Sequence, residues 1–349
     1  MVLHFRPGAT WLLVLVLLAP PLWGYDEAGL EAALESPGRH HLLLRPDPDL
    51  EIPLTVLVSS LPGRTLLILA GVHGAEYAPM VAAQRLGQDI DPRALHGRVI
   101  IAPIVNLPAF QGRSIYLNPQ DGKNLNRVFP GDREGSASER LAAFLTSTLY
   151  PLADAVLDMH SGDGNEDLNP PWVGFYERAG FEDVIERSRA LVLAFGAEHV
   201  VAFQWRFNDP SEAIWAGSAA VAQGIPSIDV EAGGRNVVEP EAVAFIERGV
   251  RRVLAHLAVL PSSFSPPSPP RIIRERRYLS AEATGVWHPA RRAGEQVREG
   301  DLLGTLTDWH GRKLATLRAP EAGLVLLIMS APPVSAGETL VVLAPCRFG

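Results

Sequence analysis

Leu67-Ile68-Leu69-Ala70-Gly71-Val72-His73-Gly74-Ala75-Glu76 decides the reading of this chain. Four apolar residues run into a glycine-bracketed turn, and a helical pattern over residues 77–86 follows at once. The stretch therefore reads as a buried strand, a tight turn and a helix. It places an imidazole and a carboxylate three residues apart at the carboxyl end of the strand, the edge where open α/β sheets bind ligands. His73 and Glu76 offer one nitrogen and one oxygen to a metal ion at about 2.0–2.2 Å. Such a short pattern also suits a turn-capping histidine and an acidic first helical turn, where a negative charge favours the dipole. A third ligand is required before it means a metal site.

Composition narrows the search for that ligand. The chain has 349 residues, 47% hydrophobic and 20% charged, enough for one large filled core and a smaller unit. A net charge of −8 gives no reason to expect nucleic-acid binding, and the short basic run at 271–277 reads as a solvated edge. The single cysteine, Cys346, excludes an internal disulfide and a thiolate cluster, so histidine and carboxylate must hold any metal.

Residues 1–24 read as a secretory signal peptide. Arg6 precedes the apolar run Trp11-Leu12-Leu13-Val14-Leu15-Val16-Leu17-Leu18-Ala19, and Leu22-Trp23-Gly24 offers a small-residue exit. An exported protein, periplasmic or secreted, is expected, with no stable membrane span once the signal is removed. Trp23 beside the exit leaves an uncleaved anchor as the alternative.

Downstream, residues 25–54 read as a short helix and an extended, proline-interrupted lead-in. Two apolar runs at 54–59 and 66–70 flank Leu61-Pro62-Gly63 and are expected to pair as strands. A further strand is expected at 99–105, a long irregular loop at 118–131, a helix at 137–149 and a strand at 155–160. A structureless connection of that length is usually functional. His160 ends its strand as His73 does, and Ser161-Gly162-Asp163-Gly164 lets the backbone crowd the same edge, so His160 is the third candidate ligand. Three ligands leave a fourth position open, the arrangement of a catalytic zinc. In Ser227-Ile228-Asp229-Val230-Glu231 the period of two puts Asp229 and Glu231 on one face. Either could act as a base. Glu231, nearer the strand's carboxyl end, is the better placed.

Taken in order, Gly71 to Glu76, Asn106 to Arg113, Asp121 to Gly131, Asp158-Met159-His160 and Glu231-Ala232-Gly233-Gly234 resemble the motifs of the succinylglutamate desuccinylase/aspartoacylase family. The resemblance spans roughly residues 54–260. It implies the zinc carboxypeptidase fold, an α/β architecture with a mixed sheet flanked by helices, and hydrolysis of the amide of an N-acylated amino acid. It further implies one zinc per chain on His73, Glu76 and His160, with Glu231 as general base. Arg113 would polarise the scissile carbonyl, and Asn126 and Arg127 would hold a substrate carboxylate. Asn124 departs from the fold's frequent aspartate at that place: an amide oxygen can orient a ligand histidine but carries no full charge. An exported zinc carboxypeptidase or cell-wall amidase acting on short peptides would use the same metal set. Neither the acyl group nor the oligomeric state is legible.

The last third changes character. A Pro/Ser-rich linker at 261–270 closes a catalytic domain expected over 25–260 and opens a small unit at 271–349. In that unit Gly285-Val286-Trp287 leading to 297–303 and Gly323-Leu324-Val325 leading to 334–340 form a weak repeat. It resembles a biotinyl/lipoyl-type barrel-sandwich. No lysine occupies a suitable turn tip, since Lys313 has no flanking methionines, so a carrier role is not expected. In the family such a unit narrows the mouth of the active site.

Overall fold

The computed structural model describes residues 27–177, 181–205, 209–262, 264 and 268–346. The expected signal peptide and part of the linker lie outside the described residues. The elements in chain order are α1 (Glu27–Glu35), β1 (Gly38–Asp47), β2 (Leu50–Val58), β3 (Thr65–Ala70), α2 (Tyr77–Asp89), β4 (Arg98–Ala102) and α3 (Leu107–Gly112). Then come α4 (Ala137–Phe144), β5 (Ala155–His160), β6 (Glu166–Leu168), β7 (Trp172–Tyr176), α5 (Glu182–Phe195), β8 (His199–Phe203), α6 (Ala216–Ala222), β9 (Ser227–Glu231), α7 (Pro240–His256) and β10 (Arg271–Ile273).

Strands β3 and β5 are buried along their whole length, which is why their sequences are continuous apolar runs and not alternating ones. They lie at the centre of a nine-stranded mixed sheet of order β1-β2-β4-β3-β5-β9-β7-β8-β10. β4, β3, β5 and β9 are parallel, so the ends of β3, β5 and β9 share one edge. Side-chain alternation divides each strand between two cores. Leu66, Ile68, Leu157, Ile228 and Val230 face α2, α5 and α7, while Leu67, Leu69 and Val156 face α4 and α6. α7 supplies Val243, Ile246, Val250, Val253 and Leu254 at helical spacing to the first core. Cutting any of the fully buried leucines of β3 to alanine would cost about 2–5 kcal/mol.

Two expectations are corrected. β2 and β3 do not pair, because β4 lies between them, antiparallel to β2 and parallel to β3. The chain leaves β3 through α2 and returns beside it, as a crossover connection does, and this fills the edge a hairpin would have used. The lead-in also holds more structure than expected. β1 and β2 form an antiparallel hairpin at the sheet edge, where Pro46 is tolerated beside a register shift between Leu44 and Asp47.

The last third is a mostly antiparallel β region: β11 (Arg277–Ser280), β12 (Gly285–Pro289), β13 (Gln296–Val297), β14 (Leu302–Thr307), β15 (Lys313–Arg318), β16 (Gly323–Met329), β17 (Pro333–Val334) and β18 (Thr339–Pro345). They form two sheets around a core that includes Trp287, whose indole N–H donates to the Met329 carbonyl at 3.0 Å. This region and the large sheet exchange strands. β10, expected in the small unit, pairs with β8 in the large sheet, and β6 from the catalytic half pairs with β16. Among the described residues no helix is long and apolar enough to cross a membrane.

Candidate metal centre and active site

The turn after β3 brings the backbone unusually close to its neighbours. Gly71 has φ +69°, and a Cβ on Gly74 would lie 2.5 Å from the Ala109 carbonyl group, so α3 closes over the turn only because glycine stands there. That contact fixes His73 at the sheet edge. Glu76 begins α2 but does not cap it. Its carboxylate instead bridges two imidazoles, with Oε1 2.9 Å from His73 Nδ1 and Oε2 2.9 Å from His160 Nδ1. The three residues are buried, and one donor atom from each lies within 4.8 Å of the others.

Each ring is held from behind. His73 Nε2 meets Asn124 Oδ1 at 3.2 Å, and His160 Nε2 meets Asp158 Oδ2 at 2.9 Å. Asn124 Oδ1 also accepts from the Asn126 backbone at 2.8 Å, which locks the amide in place. If both rings donate through Nε2, both Nδ1 lone pairs are left for one shared cation, flanked by the Glu76 carboxylate. Asp158 was not assigned a role from the sequence, although its place two residues before His160 on a strand puts both on one face.

The electrostatics agree with a cation site. Burial opposes charge on His73, yet the Glu76 and Asp163 carboxylates outweigh it and raise its pKa to about 10. Burial equally opposes charge on Glu76, and the two imidazoles hold it down at about 2. Left to itself the pocket draws protons onto its imidazoles to balance its carboxylates. A divalent ion meets the same need with neutral histidines, so the donor set of two imidazole nitrogens and one carboxylate fits a zinc-like metal.

Glu231 pairs in register with His160, on the same face. Burial lifts its carboxyl well above the usual range, and its Oε2 is enclosed without a hydrogen-bond partner. Asp229, the other candidate base, sits two pairs deeper beside Asp158, where its Oδ2 accepts from the Tyr176 hydroxyl at 2.9 Å. Glu231 is the carboxylate at the edge.

The expected substrate groups make no bond to the three cluster side chains among the described residues. Arg113 is the C-cap of α3, exposed and in the left-handed region at φ 53°. No hydrogen bond or ion pair joins its side chain to the metal cluster among the described residues. Arg127 is exposed too, its Nη1 donating to the Asn126 carbonyl at 2.7 Å. Asn126 is buried and uses its Oδ1 to accept from Ala216 N, at the start of α6, at 2.8 Å. Its amide thus ties the loop to the protein, which leaves only its NH2 group for a ligand.

A group of residues beside His73 was not foreseen. Asp163 Oδ2 lies 3.3 Å from His73 Nδ1, Asp163 N donates to Glu166 Oε2 at 3.0 Å, and the Tyr116 hydroxyl donates to Glu166 Oε1 at 3.4 Å. The Tyr116 ring meets the His73 ring edge-on at 5.9 Å. Burial and neighbouring carboxylates raise Asp163 to about 6 and Glu166 to about 7. Asp163 was visible only as part of a glycine-rich turn.

A mixed α/β sheet carrying a His-Glu-His centre at its strand ends, with a buried carboxylate beside it, defines a metal-dependent hydrolase. Residues 62–257 match the succinylglutamate desuccinylase/aspartoacylase catalytic domain. The N-alpha-acetyl-L-2,4-diaminobutyric acid deacetylase of Halomonas elongata is 33% identical over 302 residues, 84% of this chain and 85% of that protein. A succinylglutamate desuccinylase/aspartoacylase from Rhodobacter sphaeroides superposes with a TM-score of 0.78 at 31% identity, over 90% of this chain and 98% of that one. The product-bound ectoine utilization protein EutE (DoeB) from Ruegeria pomeroyi gives 0.77 at 28% identity, over 90% and 97%. The chain belongs to the succinylglutamate desuccinylase/aspartoacylase family. It is a metal-activated amidohydrolase acting on the amide of a small carboxylate-bearing substrate.

Proposed function

We propose that the protein removes the acyl group from an N-acylated amino acid, with one zinc ion per chain held by His73, Glu76 and His160. The observation that carries this is the convergence of both Nδ1 atoms on Glu76 with Glu231 beside His160 in register. When bound, zinc supplies Lewis acidity that acidifies water and polarises a carbonyl.

The chain's own residues do the rest. Glu231 takes the proton of the attacking water on its carboxylate and hands it to the departing amine, so the C–N bond breaks as an amine and not as an anion. Its enclosure keeps that proton from bulk solvent. Asn124 and Asp158 hold the two rings so that the ligand nitrogens do not turn away. Arg113 steadies the oxygen that gains charge. Arg127 pairs with the substrate's free carboxylate through two parallel bonds, helped by the Asn126 amide.

The Halomonas and Rhodobacter relatives are, by their names, enzymes of small acylated amino acids, which favours the deacylase over an exported peptidase or cell-wall amidase. A short acyl group, as in the Halomonas relative's substrate, fits this reading. The β region that begins at β11 acts as the wall that narrows the mouth, a barrel-sandwich of biotinyl/lipoyl type without a carrier lysine. The protein is exported under the direction of residues 1–24, with membrane retention as the alternative.

Glu231→Gln tests the assignment: zinc content should stay near one per chain, while turnover of N-acetyl amino acids falls by about 10²–10⁴. Near-normal turnover would remove Glu231 from the role.

A further inference from the structure

Glu231 is the last residue of β9, so its carboxylate keeps its place only if the chain beyond it keeps its course. That course is fixed from one side. Ala232 N donates to His160 O at 3.1 Å, which joins the ends of β9 and β5. The next residues lie on the segment that follows His160: Gly162 N donates to Gly233 O at 2.9 Å, and Arg235 N donates to Glu166 O at 2.9 Å. A Cβ on Gly234 would stand 2.5 Å from that same Glu166 oxygen, so the turn lies against β6 only because no side chain intervenes. Arg235 and Asn236 then take left-handed backbone in succession, at φ 58° and 54°. Neither is glycine, and such a pair persists where the surroundings over-determine it.

β6 is held in turn by the small β region. It pairs antiparallel with β16, Asp167 opposite Ile328, and on either side of it Asn165 O accepts from Ser330 N at 2.6 Å and Asn169 N donates to Leu326 O at 3.3 Å. Asp167 ties three segments together. Its Oδ2 accepts from Ala293 N, just before β13, at 3.3 Å. Its Oδ1 stands 3.6 Å from Arg235 Nε, and the same guanidinium pairs with Glu239, just before α7, at 2.8 Å.

We propose that Asp167 is a positioning residue for Glu231: through Asp167 and β6 the small β region holds the turn that follows the base. The region then governs the rate of proton transfer as well as bounding the mouth. This goes beyond the narrowing role and rests on Glu231 as the base. A carboxylate passes a proton only within about 2.6–3.2 Å of its partner, so a turn that slips on β6 costs turnover before it costs binding.

The test compares the zinc-loaded wild type with Asp167→Ala and with Asp167→Asn, which still accepts from Ala293 N, on N-acetylalanine and the bulkier N-acetylphenylalanine. Asp167→Ala should lower kcat about tenfold on both compounds, with KM and zinc content unchanged, and Asp167→Asn should lower it less. Amide hydrogen exchange read by mass spectrometry should quicken at residues 232–236 and stay unchanged in β3 and β5. Where Asp167→Ala does not fold, Asp167→Asn carries the comparison. Unchanged kcat overturns the proposal. So does a KM shift confined to the bulkier compound, which makes Asp167 a part of the mouth, or a loss of zinc, which makes it a general support. If the wild type cleaves neither compound, the deacylase reading fails, and exchange at residues 232–236 still decides whether Asp167 holds the turn.

Discussion

The metal centre and the rim that faces it are built in opposite ways. At the centre every ring nitrogen of His73 and His160 is engaged, His73, Glu76 and His160 are all buried, and they come from strand ends or the turn beside them. At the rim Arg113 and Arg127 are exposed on a helix cap and a loop. The contrast teaches where pre-organisation resides: on the proposed roles, the groups that activate are fixed in advance, and the arginines that recognise are left on the surface. A carboxylate-lined metal site cannot tolerate slack, because each buried charge must keep its partner.

The largest effect should come from breaking the centre. On the proposed ligand set, His160→Ala removes one of two imidazoles and leaves Asp158 without its ring partner, so zinc and activity should both be lost, as metal analysis of the purified variant will show. Full zinc occupancy would take His160 out of the ligand set. A smaller effect should come from the rim. Arg127→Ala should raise KM at least about tenfold for carboxylate-bearing substrates, with zinc unchanged and much less effect on an analogue whose carboxylate is a neutral amide. Equal loss on both substrates would mean that Arg127 holds the loop, and the distinction between fixed centre and recruited rim would fail there.

The smallest effect probes the layer beneath the centre. Burial and the neighbouring Asp158 raise the Asp229 pKa to about 7. A carboxyl raised in the folded state stabilises while protonated, so its contribution is complete below the unfolded value of about 4 and disappears as pH rises through about 7. Asp229→Asn cannot ionise. Its stability relative to wild type should therefore increase between pH 4 and pH 8 by at least about 1 kcal/mol in chelator-treated samples, measured by denaturant melts. A difference independent of pH would show that Asp229 ionises as freely in the fold as out of it.

Much of the centre could be read from the residues. HxxE at a strand-to-helix junction, a second histidine ending a strand and a carboxylate ending another all depend on local periodicity, and they meet because parallel strands share one edge. The same period of two reaches Asp158, on the His160 face, and Asp229, on the Glu231 face. The side chain of Asn126, read as a substrate ligand, shows the limit. Its oxygen is taken by Ala216, 90 residues away, and no pattern along the chain announces that bond.

By itself, then, the sequence determined which strands end in chemistry, which faces they present and which elements are buried, because burial and side-chain alternation are properties of a few neighbouring residues. The tertiary structure alone decided the neighbours. It placed β4 between β2 and β3, brought Asn124 to His73 across 51 residues, and set Asp163 beside His73 with Glu166 braced by β16. Strand pairing and loop return satisfy hydrogen bonds between distant segments, and an apolar run is equally fit to pair with several partners until the whole sheet is closed.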